Sequence, residues 1–156
     1  MQISFIFSSS EISTHLELSL FCSKISAGFP SPAEDNIELS LDLNKLVVNH
    51  PSSTFFVRVE GESMSGAGIL SGDMLVVDRS ITPKSGDIVV AVLDGEFTVK
   101  RWVQRKKEWF LVPENTSFNE IPLSSREHKF EIWGVVTYAV HCLKSNPFNR
   151  YDVCSR

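Results

Sequence analysis

Ile88-Val-Val-Ala-Val-Leu93-Asp94-Gly95-Glu96-Phe-Thr-Val-Lys100-Arg-Trp102 is the stretch that decides the fold. Two runs of β-branched and aromatic residues flank an Asp-Gly pair, and that pair readily takes the positive φ angles a two-residue hairpin turn needs. The stretch reads as an antiparallel hairpin. Outward from it, Phe55-Phe-Val57-Arg-Val59, Met74-Leu-Val-Val77, Trp109-Phe-Leu-Val112 and Phe130-Glu-Ile-Trp-Gly-Val-Val-Thr-Tyr-Ala-Val140 have the same character, and Leu41-Asp-Leu43-Asn alternates. The expectation is a mostly β fold. Period 2 along the second hairpin strand puts Thr98, Lys100 and Trp102 on one face and Phe97, Val99 and Arg101 on the other. The period does not choose which face meets the core.

At 156 residues with 42% apolar content, the chain can bury one core, with no room for a second full domain. Its 15 basic and 19 acidic residues give a net charge of −4, which disfavours extensive direct nucleic-acid binding because phosphate recognition needs a basic face. The local run Lys100-Arg101 with Arg105-Lys106-Lys107 reads as a solvated rim. Cys22, Cys142 and Cys154 are odd in number and lack CxxC spacing, which points to reduced thiols of a cytoplasmic protein. His141 beside Cys142 lacks a second ligand pair, so neither a metal nor a cofactor is expected. The apolar run Ile3 to Phe7 is too short to span a bilayer and has no basic segment before it, so no membrane association is expected.

Ser63 and Lys100 carry the candidate chemistry. A serine hydroxyl is a poor nucleophile until a base takes its proton, and a lysine serves as that base only when burial lowers its pKa from about 10.4 toward neutrality. Ser63 follows Gly61-Glu62 in a turn. Lys100 stands 37 positions later among Phe97, Val99 and Trp102. Taken singly, each residue reads more simply as a turn serine and a solvent-facing lysine. His50, His128 and His141 read as structural or surface residues.

Upstream, residues 1 to 26 form a serine-rich arm, partly helical at best, with weak periodicity over Ile12 to Leu18. Ile25-Ser26-Ala27-Gly28-Phe29-Pro30-Ser31-Pro32 follows, and its two prolines favour extended backbone, the shape a protease cleft binds. Small Ala27 and Gly28 leave the Ala27 carbonyl open to attack. Without a nucleophile and base elsewhere, the segment reads as a flexible linker.

Four motifs bring a family into view: Val59-Glu60-Gly61-Glu62-Ser63-Met64, Ser71-Gly72-Asp73-Met74-Leu75-Val76-Val77-Asp78, Gly86-Asp87-Ile88-Val89 and Asp94-Gly95-Glu96-Phe97-Thr98-Val99-Lys100. With the Ser63 to Lys100 spacing, they resemble the LexA-like self-cleaving serine peptidases, most closely the UmuD-type SOS mutagenesis proteins. The resemblance runs from about Gly28 to about His141. It implies curved antiparallel sheets, a short helical turn at the nucleophile and a flexible N-terminal arm. The implied division is an arm over 1–27 removed by self-cleavage, a Ser-Lys peptidase domain over 28–143 and a tail over 144–156.

The resemblance also assigns roles and partners. Ser63 is the nucleophile, Lys100 the general base and Ala27-Gly28 the cleaved bond, with the backbone N–H groups of Ser63 and Met64 as oxyanion donors. A homodimer is implied whose self-cleavage is stimulated by RecA filaments on single-stranded DNA, and whose shortened form joins a UmuC-like Y-family translesion polymerase. Only 27 residues precede the bond, too few for the DNA-binding domain of a repressor. Two other readings stand beside this one: a soluble Ser-Lys peptidase acting on other proteins, and a non-catalytic interaction module. Residues 1 to 20 and the tail from Lys144 depart from the family pattern.

Overall fold

The computed structural model describes residues 1–8, 17–21, 37–123 and 129–143. Ala27 and Gly28, Cys22, His128 and the tail from Lys144 lie outside the described residues.

The hairpin forms as its sequence requires. β6 (Ile88–Leu93) and β7 (Glu96–Arg105) pair with Leu93 opposite Glu96, so Asp94 and Gly95 alone make the turn. Both have positive φ, 51° and 91°, as a two-residue turn matched to strand twist demands. A second two-residue turn at Lys106-Lys107 joins β7 to β8 (Glu108–Val112).

Around this hairpin the remaining strands complete one eight-stranded sheet. They are β1 (Gln2–Ser8), β4 (Thr54–Glu60), β5 (Met74–Asp78), β9 (Ile121–Pro122) and β10 (Phe130–Val140), in the order β1-β4-β5-β10-β6-β7-β8-β9. Every pairing in it is antiparallel. β2 (Glu17–Phe21) and β3 (Ile37–Asp42) form a separate two-stranded sheet, and a short helix α1 (Leu43–Val47) follows, capped by the Asp42 side chain at the Asn44 N–H.

Gln2–Ser8 differs from the partly helical arm expected for the N-terminus. The segment is rich in β-branched and aromatic residues, Ile3, Phe5, Ile6 and Phe7, and it adds as a strand to the edge of β4. A neighbouring strand with unpaired backbone groups outweighs weak helical propensity over so few residues. The Leu41-Asp-Leu43-Asn alternation holds only as far as Asp42, where the chain enters α1.

Two apolar clusters cover opposite stretches of the curled sheet. One joins Val57, Val59, Met64, Leu75, Val77, Val90 and Val99, and the other joins Val89, Ala91, Trp102, Leu111 and Val135. Both faces of β7 are therefore covered at its centre: Val99 enters the first cluster and Trp102, stacked on Trp109 at 4.4 Å, the second. Lys100 lies between them in sequence and is 6% exposed.

Candidate active site

Ser63 sits just past the end of β4, where the chain must reverse to feed a short 3-10 turn, Ser65–Ala67. Gly61 makes the bend at φ 97°, and Gly68 closes the turn at φ 75°, backbone states that cost a side chain energy. The loop after β8 holds this turn from outside. Glu114 N–H donates to Ser63 O (2.8 Å), Gly66 N–H donates to Glu114 O (2.7 Å), and Asn115 Nδ2 donates to Glu62 O (3.0 Å). A Cβ on Gly66 would stand 2.4 Å from Glu114 O, so only glycine permits that approach. Arg101 forms an ion pair with the Glu114 carboxylate and donates to Gly86 O, which ties the loop to the lysine strand.

From β7, Lys100 Nζ donates to Ser63 Oγ at 2.9 Å, to Thr98 Oγ1 at 3.1 Å and to Val99 O at 3.0 Å. Ser63 is fully buried. Burial pushes the Lys100 amine below its usual range, opposed in part by a hydrogen bond with the Met1 amine. Its partners among the described residues are hydroxyls, a carbonyl and that amine, with no carboxylate. A neutral amine here would point a lone pair at Ser63 O–H, the arrangement general-base catalysis requires.

A second nitrogen meets the same hydroxyl: Met1 N stands 2.7 Å from Ser63 Oγ. Burial, reinforced by the positive charge of Lys100, lowers the Met1 amine from 8.0 to about 5. The backbone N–H groups of Ser63 and Met64 donate to no backbone carbonyl among the described residues.

The structure brings Ser63 Oγ and Lys100 Nζ together across 37 positions of sequence. The two histidines among the described residues lie elsewhere: His50 pairs with Asp78 and His141 with Asp73, each at 2.6 Å. The basic run is a solvated rim at Arg105, Lys106 and Lys107, which are exposed, whereas Lys100 is buried and Arg101 is half-buried against Glu114. Among the described residues no group of three or more metal-ligating side chains occurs, and no helix is long and apolar enough to cross a membrane. Sequence reasoning missed Thr98, Glu114 and Met1. The first was legible, standing two residues before Lys100 on the same strand face. Met1 left no signal, being 62 positions from Ser63.

Residues 19–137 match the family model described as Peptidase S24-like. The chain belongs to the Peptidase S24-like family. This S24-like chain is 44% identical over 135 residues to Protein MucA of Salmonella typhimurium, a match covering 86% of this chain and 92% of that protein. It is 46% identical over 123 residues to Protein ImpA of Escherichia coli, covering 78% and 82%. The LexA repressor of Hahella chejuensis matches at 38% over 112 residues, 72% of this chain and 56% of the repressor. The UmuD-type, LexA-like resemblance read from the motifs is borne out.

Proposed function

We propose that the chain is a self-cleaving serine peptidase of the SOS response that cuts its own Ala27-Gly28 bond. The observation that carries this reading is the 2.9 Å approach of Lys100 Nζ to a buried Ser63 Oγ, with no carboxylate among the described partners to hold the amine protonated. Neutral Lys100 takes the Ser63 proton as Oγ attacks the Ala27 carbonyl. The N–H groups of Ser63 and Met64 receive the oxyanion. Collapse breaks the C–N bond, and Lys100 returns the proton to the departing Gly28 nitrogen. Water then attacks the Ser63 ester with Lys100 again as base, releasing Ala27 as a carboxylate and restoring the serine.

In this reading residues 1–27 are the removable arm, 28–143 the peptidase domain and 144–156 a tail. The protein acts in the cytoplasm as a homodimer, RecA filaments on single-stranded DNA stimulate its cleavage, and the shortened form is an accessory subunit of a UmuC-like Y-family translesion polymerase. The family relationship supports these assignments. Purified protein incubated at alkaline pH, or with RecA, single-stranded DNA and nucleotide, should yield a fragment that begins at Gly28. Ser63→Ala and Lys100→Ala should yield none. Mass spectrometry reads the outcome, and release that persists in both variants refutes the assignment. Gly28→Glu separates self-processing from action on other proteins, because it blocks the former and spares the latter.

A further inference from the structure

Strand β1 runs antiparallel along the edge of β4, with Gln2 opposite Glu60 and Ser8 opposite Phe55. An irregularity in register between Ile3 and Phe5 interrupts strict alternation, which lets Ile3 and Ile6 both pack against the first apolar cluster. At the end nearest the nucleophile, Met1 is 9% exposed and belongs to that cluster. Its carbonyl accepts from Val99 N–H and from Thr98 Oγ1, each at 3.3 Å. Its nitrogen touches Ser63 Oγ at 2.7 Å.

That placement has the form of a cleaved peptide's second half. In acyl transfer the leaving group carries its nitrogen beside the nucleophile, within about 3–3.5 Å, and the rest of its chain leads away. Met1 to Ser8 does this along β4, and it leaves the Ser63 side chain fully covered. Resting on Ser63 as nucleophile, we propose that the groove between β4 and β7 is the leaving-group subsite of the peptidase, and that β1 fills it as an intramolecular product mimic. Its ligand is an extended apolar peptide added to the β4 edge through main-chain hydrogen bonds. The residues after Ala27 reach Ser63 only once β1 has detached. While β1 is docked, the Met1 nitrogen occupies the hydroxyl that would attack. Release of residues 1–27 would carry β1 away and leave the β4 edge open.

A reversible lock tests this in the full chain with Cys22, Cys142 and Cys154 replaced by serine. Gln2→Cys and Glu60→Cys stand opposite in register and are both exposed, a separation a disulfide can span. Oxidation should form the bond, slow release of the Gly28 fragment about tenfold or more, and let reductant restore it. Deletion of residues 2–8 should speed release by a similar factor. A bond that fails to form, or locked and reduced chains that cleave alike, would overturn the proposal. Labelling of Ser63 by a fluorophosphonate in the same preparations separates this inference from the function it rests on. Lock-sensitive labelling without fragment release would remove the Ala27-Gly28 assignment and leave the occluding strand standing; labelling equal in both forms, nil included, would remove the strand.

Discussion

Lys100 and Asp78 are both ionisable, both nearly inaccessible and both in the same sheet, yet their surroundings drive them to different ends. Asp78, 3% exposed, accepts from Ser80 Oγ (2.6 Å), Ser80 N–H (2.8 Å), His50 Nδ1 (2.6 Å) and Ser53 Oγ (3.2 Å). Burial alone would push its carboxyl up, but hydrogen bonds from Ser80, His50 and Ser53 outweigh that and hold it below the ordinary carboxylate range. Lys100 is buried to a similar degree without an opposite charge among its described partners, and its pKa falls. A buried charge saturated with partners is structural. One left without a counter-charge is kept at a cost and becomes chemically useful.

Neutralising each group is the strongest way to break that comparison. Lys100→Met should reduce release of the Gly28 fragment on the order of 10³-fold or more and raise stability by about 1 kcal/mol, because a buried amine with no carboxylate among its described partners gives way to an apolar chain of similar length. A urea midpoint lower than that of the parent would contradict a destabilising burial of the Lys100 amine. Next in size, Thr98→Asp supplies the missing counter-charge 3.1 Å from Nζ in the present geometry. It should raise the Lys100 pKa and slow the reaction about tenfold or more near pH 8, with recovery at alkaline pH. The parent rate should itself rise with pH as Lys100 loses its proton, with a midpoint below 10.5 because burial lowers that pKa. A pH–rate profile identical in parent and variant would rule out Lys100 as the titrating base.

Gly66→Ala sharpens the comparison by disturbing geometry without touching charge. Its Cβ would meet a backbone oxygen at 2.4 Å, so the Ser63 turn must move off the loop at Glu114, at a cost of about 1–3 kcal/mol. Release should slow with an unchanged pH midpoint; a shifted midpoint would mean that the turn tunes the amine as well as placing the serine. The smallest effect on activity belongs to Asp78→Asn. It should lower stability by about 1–3 kcal/mol, while folded protein cleaves at the parental rate. The sign follows from the depressed carboxyl: its contribution is present above the ordinary value of 3.8 and lost as pH falls through the lower folded value. Denaturant midpoints across that window should slope in the parent and flatten in Asp78→Asn.

Much of the fold was legible because its signals are local. The Asp94-Gly95 turn, the strand from Phe130 to Val140 and the turn at Ser63 each follow from residues within a few positions of one another. The N-terminal strand was not legible, since Gln2–Ser8 is a strand by virtue of the distant β4 edge it meets, where Gln2 pairs with Glu60 and Ser8 with Phe55. Within the site, the nucleophile and base were found from residue type, spacing and motif. Thr98 could have been added from strand period alone.

By itself the sequence determined an antiparallel fold and a serine and lysine suited to act together, because turn dihedrals, side-chain alternation and motif spacing are written in adjacent residues. Tertiary structure alone decided that the lysine has no carboxylate beside it among the described residues and that Met1 stands on the serine. Those contacts join positions 62 and 37 apart in sequence. They exist because the sheet curls until its edge strand β1 meets β7, a closure that follows from packing and leaves no mark in any short stretch of the chain.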